Sequence, residues 1–237
     1  MIILACETST LLGSVSVIKD GVVLSERHLL RQGSHTEILN TFISECLADA
    51  NLTLNDVDCF ATGLGPGSFT GLRISLNTIK TFGYIYNKPV VGFDSLLNLA
   101  FENKNILNAE NKKITAMINA YKNMVYIAEY ELKNNVVNKV KPPQVVRVQE
   151  LEQFVTEKTW VVGDGYLAYE KYFSENLKTL CLRTDPSSDH PTAKSLGLIA
   201  SLPQNKNKNT HWHQLLPLYL RSSEAEEVAA GIKYQAL

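Results

Sequence analysis

The chain has 237 residues, 45% of them hydrophobic and 20% charged, with a formal net charge of −1. That length supports one large domain or two modest ones around a real core. A charge so near neutral argues against strong autonomous nucleic-acid binding, which needs a basic face to displace counterions, and composition gives a local basic patch no support; no run approaches the ~18 apolar residues of a membrane span.

Ile2 to Ala5 reads as a buried strand that closes in the polar turn Glu7-Thr8-Ser9-Thr10. Glu7 interrupts the apolar start too early for a signal peptide, so a cytoplasmic location is expected. Gly13 to Ile18 alternates as a strand should, and Asp20-Gly21 is a two-residue hairpin signal returning the chain through Val22-Val23-Leu24. Ser34-His35-Thr36-Glu37 has capping-box form, and the helix it opens, 35–49, carries Ile38, Leu39, Phe42, Ile43, Cys46 and Leu47 on one apolar face. Strand 57–62, a glycine-rich loop, helix 68–86, strand 89–93 and a helix from Ser95 complete a first half.

The second half echoes this order. Strands are expected at 114–118, at 124–128 and from Val136, a short helix at 151–155, and a strand at 160–163 meeting a second glycine turn, Gly163-Asp164-Gly165. A helix at 166–174, a strand at 180–182 and a helix at 193–202 follow. The polar stretch Asn103–Lys113 places a boundary between lobes at 1–102 and 103–237. Gln204–Thr210 reads as a polar loop. The four cysteines, Cys6, Cys46, Cys59 and Cys181, include no CxxC pair and read as buried reduced thiols.

The most informative stretch is Thr62-Gly63-Leu64-Gly65-Pro66-Gly67-Ser68-Phe69-Thr70-Gly71-Leu72-Arg73. A glycine turn between strand and helix leaves backbone N–H groups at the helix start, where an anion is favoured. Two readings stand side by side. Gly65, Pro66, Gly67 and Ser68 form a tight turn with Ser68 as N-cap, or they keep a weak phosphate contact, with Thr8 and Ser9 of the first turn as further candidates. The GxxxxGK[ST] spacing of a P-loop is absent.

A duplicated three-strand meander with alternating helices and strands resembles the actin-like ATPase fold, also called ribonuclease H-like: an α/β architecture of two lobes, each a mixed sheet flanked by helices. ACETST at 5–10, TGLGPGSFTGLR at 62–73, KPVVG at 88–92 and LPLYLRSSEAE at 216–226 together resemble the TsaB family. Asn119-Ala120-Tyr121 departs from that family's Asp-Ala-Arg triplet at the corresponding turn. The resemblance implies an accessory, non-catalytic subunit for threonylcarbamoyl transfer to N6 of the adenosine 3′ of the anticodon in tRNA. The enzyme would be a TsaD-like transferase, with a TsaE-like P-loop ATPase as third component, and tRNA would be met only through the complex. The paralogous transferase bears a His-x-x-x-His metal site whose positions fall on Ser95 and Leu99 here. Neither side chain is a transition-metal ligand, so no metal and no cofactor of the chain's own are expected, beyond a weak nucleotide contact within the complex. His211 and His213, spaced to share one face of a strand, read as surface or packing residues, with a metal site as the alternative.

Both long helices carry apolar residues beyond one stripe, Ile74, Ile85 and Tyr86 on the second, which fits a helix-bundle interface; the resemblance implies that the partner meets these helices, through Ile38, Leu39, Phe42, Ile43, Cys46, Leu72, Leu76 and Ile79, with a homodimer expected in isolation. The contrary reading of such faces is core, since each helix must cover a sheet. The rival function is an autonomous ATP-dependent small-molecule kinase or a glycoprotease-type metallopeptidase.

Overall fold

The computed structural model describes residues 1–30, 36–104, 112–133, 136–183, 189–205, 208, 210–222 and 224–231. The chain divides into two compact units, Met1–Asn98 with Pro191–Leu218, and Leu99–His190 with Tyr219–Leu237.

The first unit is built on β1 (Ile2–Glu7), β2 (Leu12–Lys19), β3 (Val22–Leu30), β4 (Cys59–Gly63) and β5 (Val90–Phe93), in the order β3-β2-β1-β4-β5. β1 to β3 form an antiparallel meander. Its first turn is set by Asp20 and Gly21, both at positive φ (50° and 80°), which matches the right-handed twist of a two-residue hairpin. β4 then runs parallel to β1, and β5 parallel to β4. Such parallel neighbours need crossovers, supplied by α1 (Thr36–Asp49) and α2 (Phe69–Ile85).

Alternation along the strands decides the layers. Leu4, Cys6, Val15, Val17 and Phe60 turn to one face, where Leu39, Ile43 and Cys46 of α1 and Leu76 and Ile79 of α2 meet them in one buried cluster. Each leucine, isoleucine, valine and phenylalanine among them contributes roughly 1.5–3 kcal/mol by leaving water. The opposite face is covered by α7 (Ala193–Ser201), whose Gly197 lets Ile18 and Ala5 approach the helix backbone. Thr192 caps α7 through Ser195 N (3.2 Å), and Ala193 N donates to Ser14 Oγ (2.9 Å).

The second unit repeats the plan. β6 (Lys112–Asn119), β7 (Met124–Lys133) and β8 (Val136–Arg147) form a meander, β9 (Thr159–Val162) lies parallel to β6, and β10 (Cys181–Arg183) parallel to β9. The order β10-β9-β6-β7-β8 is the first sheet's order written backwards. α4 (Leu151–Phe154), α5 (Asp164–Tyr169) and α6 (Glu175–Leu180) pack Leu151, Phe154, Tyr166 and Leu177 onto Met117, Val125, Ile127 and Val161. A last short helix, α8 (Glu224–Ala229), belongs to this unit.

Several expectations shift. α7 and the stretch to Leu218 return to the first unit, so the division is not a single cut near residue 103; α7 fits there because its glycine accepts the first sheet's Ile18. β3 and β8 run further than turn signals suggested. β8 tolerates Pro142 and Pro143 because it is the edge of its sheet and has no outer ladder to break. The helix expected at 166–174 ends at Tyr169 in a 3₁₀ turn, Glu170–Tyr172, and α6 and α8 were not anticipated. The capping-box residues Ser34 and His35, the linker 105–111 and part of 204–210 lie outside the described residues. All four cysteines are buried free thiols; burial pushes Cys59 up to about 12 and Cys181 up to about 11. Among the described residues no helix is long and apolar enough to cross a membrane.

A Cβ at Gly197 would meet Ile18 Cδ1 at 2.1 Å and Cγ1 at 2.9 Å. Gly197→Val is therefore expected to cost about 2 kcal/mol through overpacking, read as a lowered urea midpoint at unchanged slope.

Candidate functional site

β1 ends on a carboxylate inside the protein. Glu7 is fully buried, and its Oε1 accepts from Ser9 N (2.9 Å). Its Oε2 accepts from Ser95 Oγ (3.3 Å) and Asn98 Nδ2 (3.2 Å), both on α3 (Ser95–Asn103). Gly63, at the end of β4, makes room for it: a Cβ there would stand 2.1 Å from Glu7 Oε2. Burial raises the Glu7 carboxyl above its ordinary range, opposed by donors from Ser9, Asn98 and Ser95. Ser9 Oγ and Asn98 Oδ1 are buried without a hydrogen-bond partner of ordinary geometry, although the Ser9 hydroxyl is near enough to favour ionised Glu7.

The glycine loop closes onto this turn. Ser68 N donates to Ser9 O (2.7 Å), and Thr8 Oγ1 donates to Gly71 O (2.7 Å). Cβ atoms at Gly67 and Gly71 would fall 2.2 Å from Ser9 O and 1.9 Å from Thr8 O, so both glycines are required by close packing of backbone on backbone. Gly65 lies at φ +93°, and its N–H donates to Ser95 Oγ (3.2 Å). Ser68 caps α2 by accepting from Gly71 N (3.2 Å), as the sequence suggested. Of the phosphate candidates Thr8, Ser9, Gly65, Gly67 and Ser68, the donors at Thr8 Oγ1, Ser9 N, Gly65 N and Ser68 N are thus engaged within the chain.

Ser95 and Leu99 serve the fold. Ser95 links Glu7 to Gly65, and Leu99 is fully buried against Gly163. Among the described residues no three His, Cys, Asp or Glu side chains converge as a metal cage would. His213 lies in a 3₁₀ turn, Trp212–Gln214, for which His211 is the N-cap, rather than on a strand, and their rings are tilted at 48° with centroids 4.4 Å apart.

The corresponding turn of the second unit is organised differently. Asn119 N donates to Asp164 Oδ1 (2.9 Å), and Tyr121 N to Asn119 Oδ1 (2.8 Å). Tyr121, Lys122 and Asn123 then occupy the left-handed region in succession (φ 57°, 50° and 63°). Three such residues together are strained, and the C-terminal segment holds them. Arg221 donates to Ala120 O while pairing with Glu227, which also receives Lys122 Nζ at 3.1 Å. Arg221 lies within the motif at 216–226 and Glu227 just beyond it, but nothing in their spacing marks them as the clamp on a turn 101 residues away. Burial, with help from Asp189, raises Asp164 to about 6.

The proposed interface residues need correction. Leu39, Ile43, Cys46, Leu72, Leu76 and Ile79 are at most 5% exposed. They are the chain's own core and cannot also face a partner. Ile38 and Phe42 are half-buried at its margin, Phe42 packed against it. What α2 shows to solvent is Thr70, Arg73, Asn77, Thr81, Tyr84 and Ile85, with half-buried Ile74 and Thr78 beside them.

Residues 29–229 match the family model of TsaD, tRNA N6-adenosine threonylcarbamoyltransferase. Curated relatives named tRNA threonylcarbamoyladenosine biosynthesis protein TsaB match over most of the chain. The one from Escherichia coli is 29% identical over 98% of this chain and 99% of its own. That from Haemophilus influenzae is 27% identical over 93% of each, and that from Buchnera aphidicola of Schizaphis graminum 32% identical over 70% of this chain and 79% of its own. A crystal structure from Pseudomonas aeruginosa, described as similar to peptidase YeaZ, superposes with a TM-score of 0.81 at 25% identity, covering 93% of this chain and 99% of that one.

Two measurements probe the site. Gly71→Ala should cost about 3 kcal/mol, because the methyl collides with backbone rather than a yielding side chain; chemical denaturation reads it. For Glu7, a folded pKa above the ordinary 4.5 means that stability is fully present below 4.5 and lost as pH rises through the folded value. Glu7→Gln lacks that loss, so its stability relative to the unmodified protein should be greatest at pH 7 and shrink on acidification toward 4.5, followed by urea midpoints across that range.

Proposed function

The chain belongs to the TsaB family, named for tRNA threonylcarbamoyladenosine biosynthesis, and from that premise we propose that it acts as a non-catalytic subunit of the transferring complex. The transfer itself, of a threonylcarbamoyl group to N6 of the adenosine 3′ of the anticodon, is assigned to a TsaD-like partner carrying the metal. This chain holds that partner in a competent arrangement and helps to present it to a TsaE-like P-loop ATPase. Alone it forms a homodimer, and it meets tRNA through the complex.

One observation carries the reading. The first turn, where a working enzyme of this architecture would need free donors and a base open to substrate, is packed shut by its own glycine loop. Glu7 is enclosed by Ser9, Ser95 and Asn98 and cannot take a proton from a reactant it does not touch. The outer stripe of α1 and α2, with Ile38, Ile74 and Ile85, is the surface proposed to meet the partner's helices, in the manner of a four-helix bundle.

Mixing the purified chain with a TsaD-like transferase should give a heterodimer at micromolar concentration by light scattering, and no transfer to tRNA by this chain alone. Ile85 is 63% exposed. Ile85→Asp should weaken association about tenfold or more, as loss of a buried apolar contact implies, without lowering the melting temperature. Association unchanged by that substitution would remove this face from the interface, and transfer activity in the isolated chain would end the accessory reading.

A further inference from the structure

The two imidazoles of the sequence His211-Trp212-His213 converge. Their Nδ1 atoms lie 2.6 Å apart and their ring centroids 4.4 Å apart, with both side chains exposed to solvent. Two nitrogen lone pairs do not face each other at that distance. One Nδ1 must carry a proton directed at the other, so a proton stands at the position where a shared ion would bond to both.

The turn that carries them is fixed from several sides. Gln214 N donates to His211 O (2.9 Å), and Leu215 O accepts from Lys80 Nζ on α2 (3.2 Å). Thr210 exchanges backbone hydrogen bonds with Val90 at the sheet edge (2.9 and 3.2 Å). Between the histidines, Trp212 packs edge-on against Tyr84 of α2, centroids 5.4 Å apart. The two rings therefore do not have to be gathered from a mobile loop, and little ordering entropy is left for binding to overcome.

We propose that His211 and His213 form a two-nitrogen chelating site for a divalent transition ion of the zinc class, with water completing the coordination. Imidazole nitrogen selects zinc, nickel and copper over magnesium and calcium. At bonds of ~2.1 Å and a near-tetrahedral angle, the nitrogens would stand ~3.4 Å apart, so the rings need to separate by less than about 1 Å. Among the described residues no third ligand stands near, which makes this an open, exchanging site rather than a structural cage. It lies apart from the Glu7 turn and does not depend on the accessory role.

The test uses the full chain without an affinity tag, titrated with Zn²⁺ by calorimetry and passed over immobilised Ni²⁺. The expected result is one Zn²⁺ bound with micromolar affinity. His211→Ala and His213→Ala should each weaken it about tenfold or more, since a chelate needs both nitrogens, and the double variant should lose retention on nickel. His28→Ala, another exposed histidine, should change nothing. Melting curves of the variants exclude unfolding as the cause. No uptake of Zn²⁺, uptake that survives both substitutions, or dependence on only one of the two histidines would each overturn the proposal.

Discussion

The first unit is organised around a carboxylate placed where no solvent reaches it. A carboxyl in that position needs hydrogen-bond partners, and the chain supplies donors from its own turn and from α3, which oppose without cancelling the upward push of burial. The requirement propagates. Gly63 must lack a side chain so that the carboxylate fits, Ser95 must be small and hydroxylated to bridge it to Gly65, and Asn98 must reach both Glu7 and Thr192 O. β1, β4, the glycine loop and α3 are thereby locked to one group.

The same constraint explains why this turn is suited to holding structure. Backbone N–H groups at a glycine-rich helix start attract anions when they are open. Here Gly67 and Gly71 bring the loop onto the backbone of Thr8 and Ser9, and those donors find carbonyls, hydroxyls and the Glu7 carboxylate instead. The second unit reaches a comparable end by another route, with Arg221 and Glu227 closing on a turn of three left-handed residues. Two copies of one plan have been sealed by different chemistry.

Local patterns in the sequence announced much of the fold. The Asp20-Gly21 hairpin, the Ser68 cap and the periodicities of α1 and α2 are each encoded within a few residues, and so was the repeat of three strands followed by alternating elements. What escaped was encoded at a distance. Ser95 and Asn98 lie 88 and 91 residues from Glu7, so nothing near Glu7 marks it as the centre of a network. The apolar faces of α1 and α2 identified burial correctly but not what buries them, and Leu72, Leu76 and Ile79 proved to be core. For His211 and His213 the two-residue spacing did bring the rings together, on a 3₁₀ turn rather than a strand. α6 and α8 span six residues each, too short for periodicity to stand out.

The return of α7 to the first sheet bears on how the molecule is made. Residues 191–218 complete a unit whose other part ends at Asn98, so during synthesis the nascent first sheet waits, one face bare, while some ninety intervening residues are translated. Ile18 and Ala5 stay uncovered throughout that interval. Truncation before Pro191 would take away the helix that covers Ile18 and Ala5, leaving an apolar sheet exposed rather than a smaller protein.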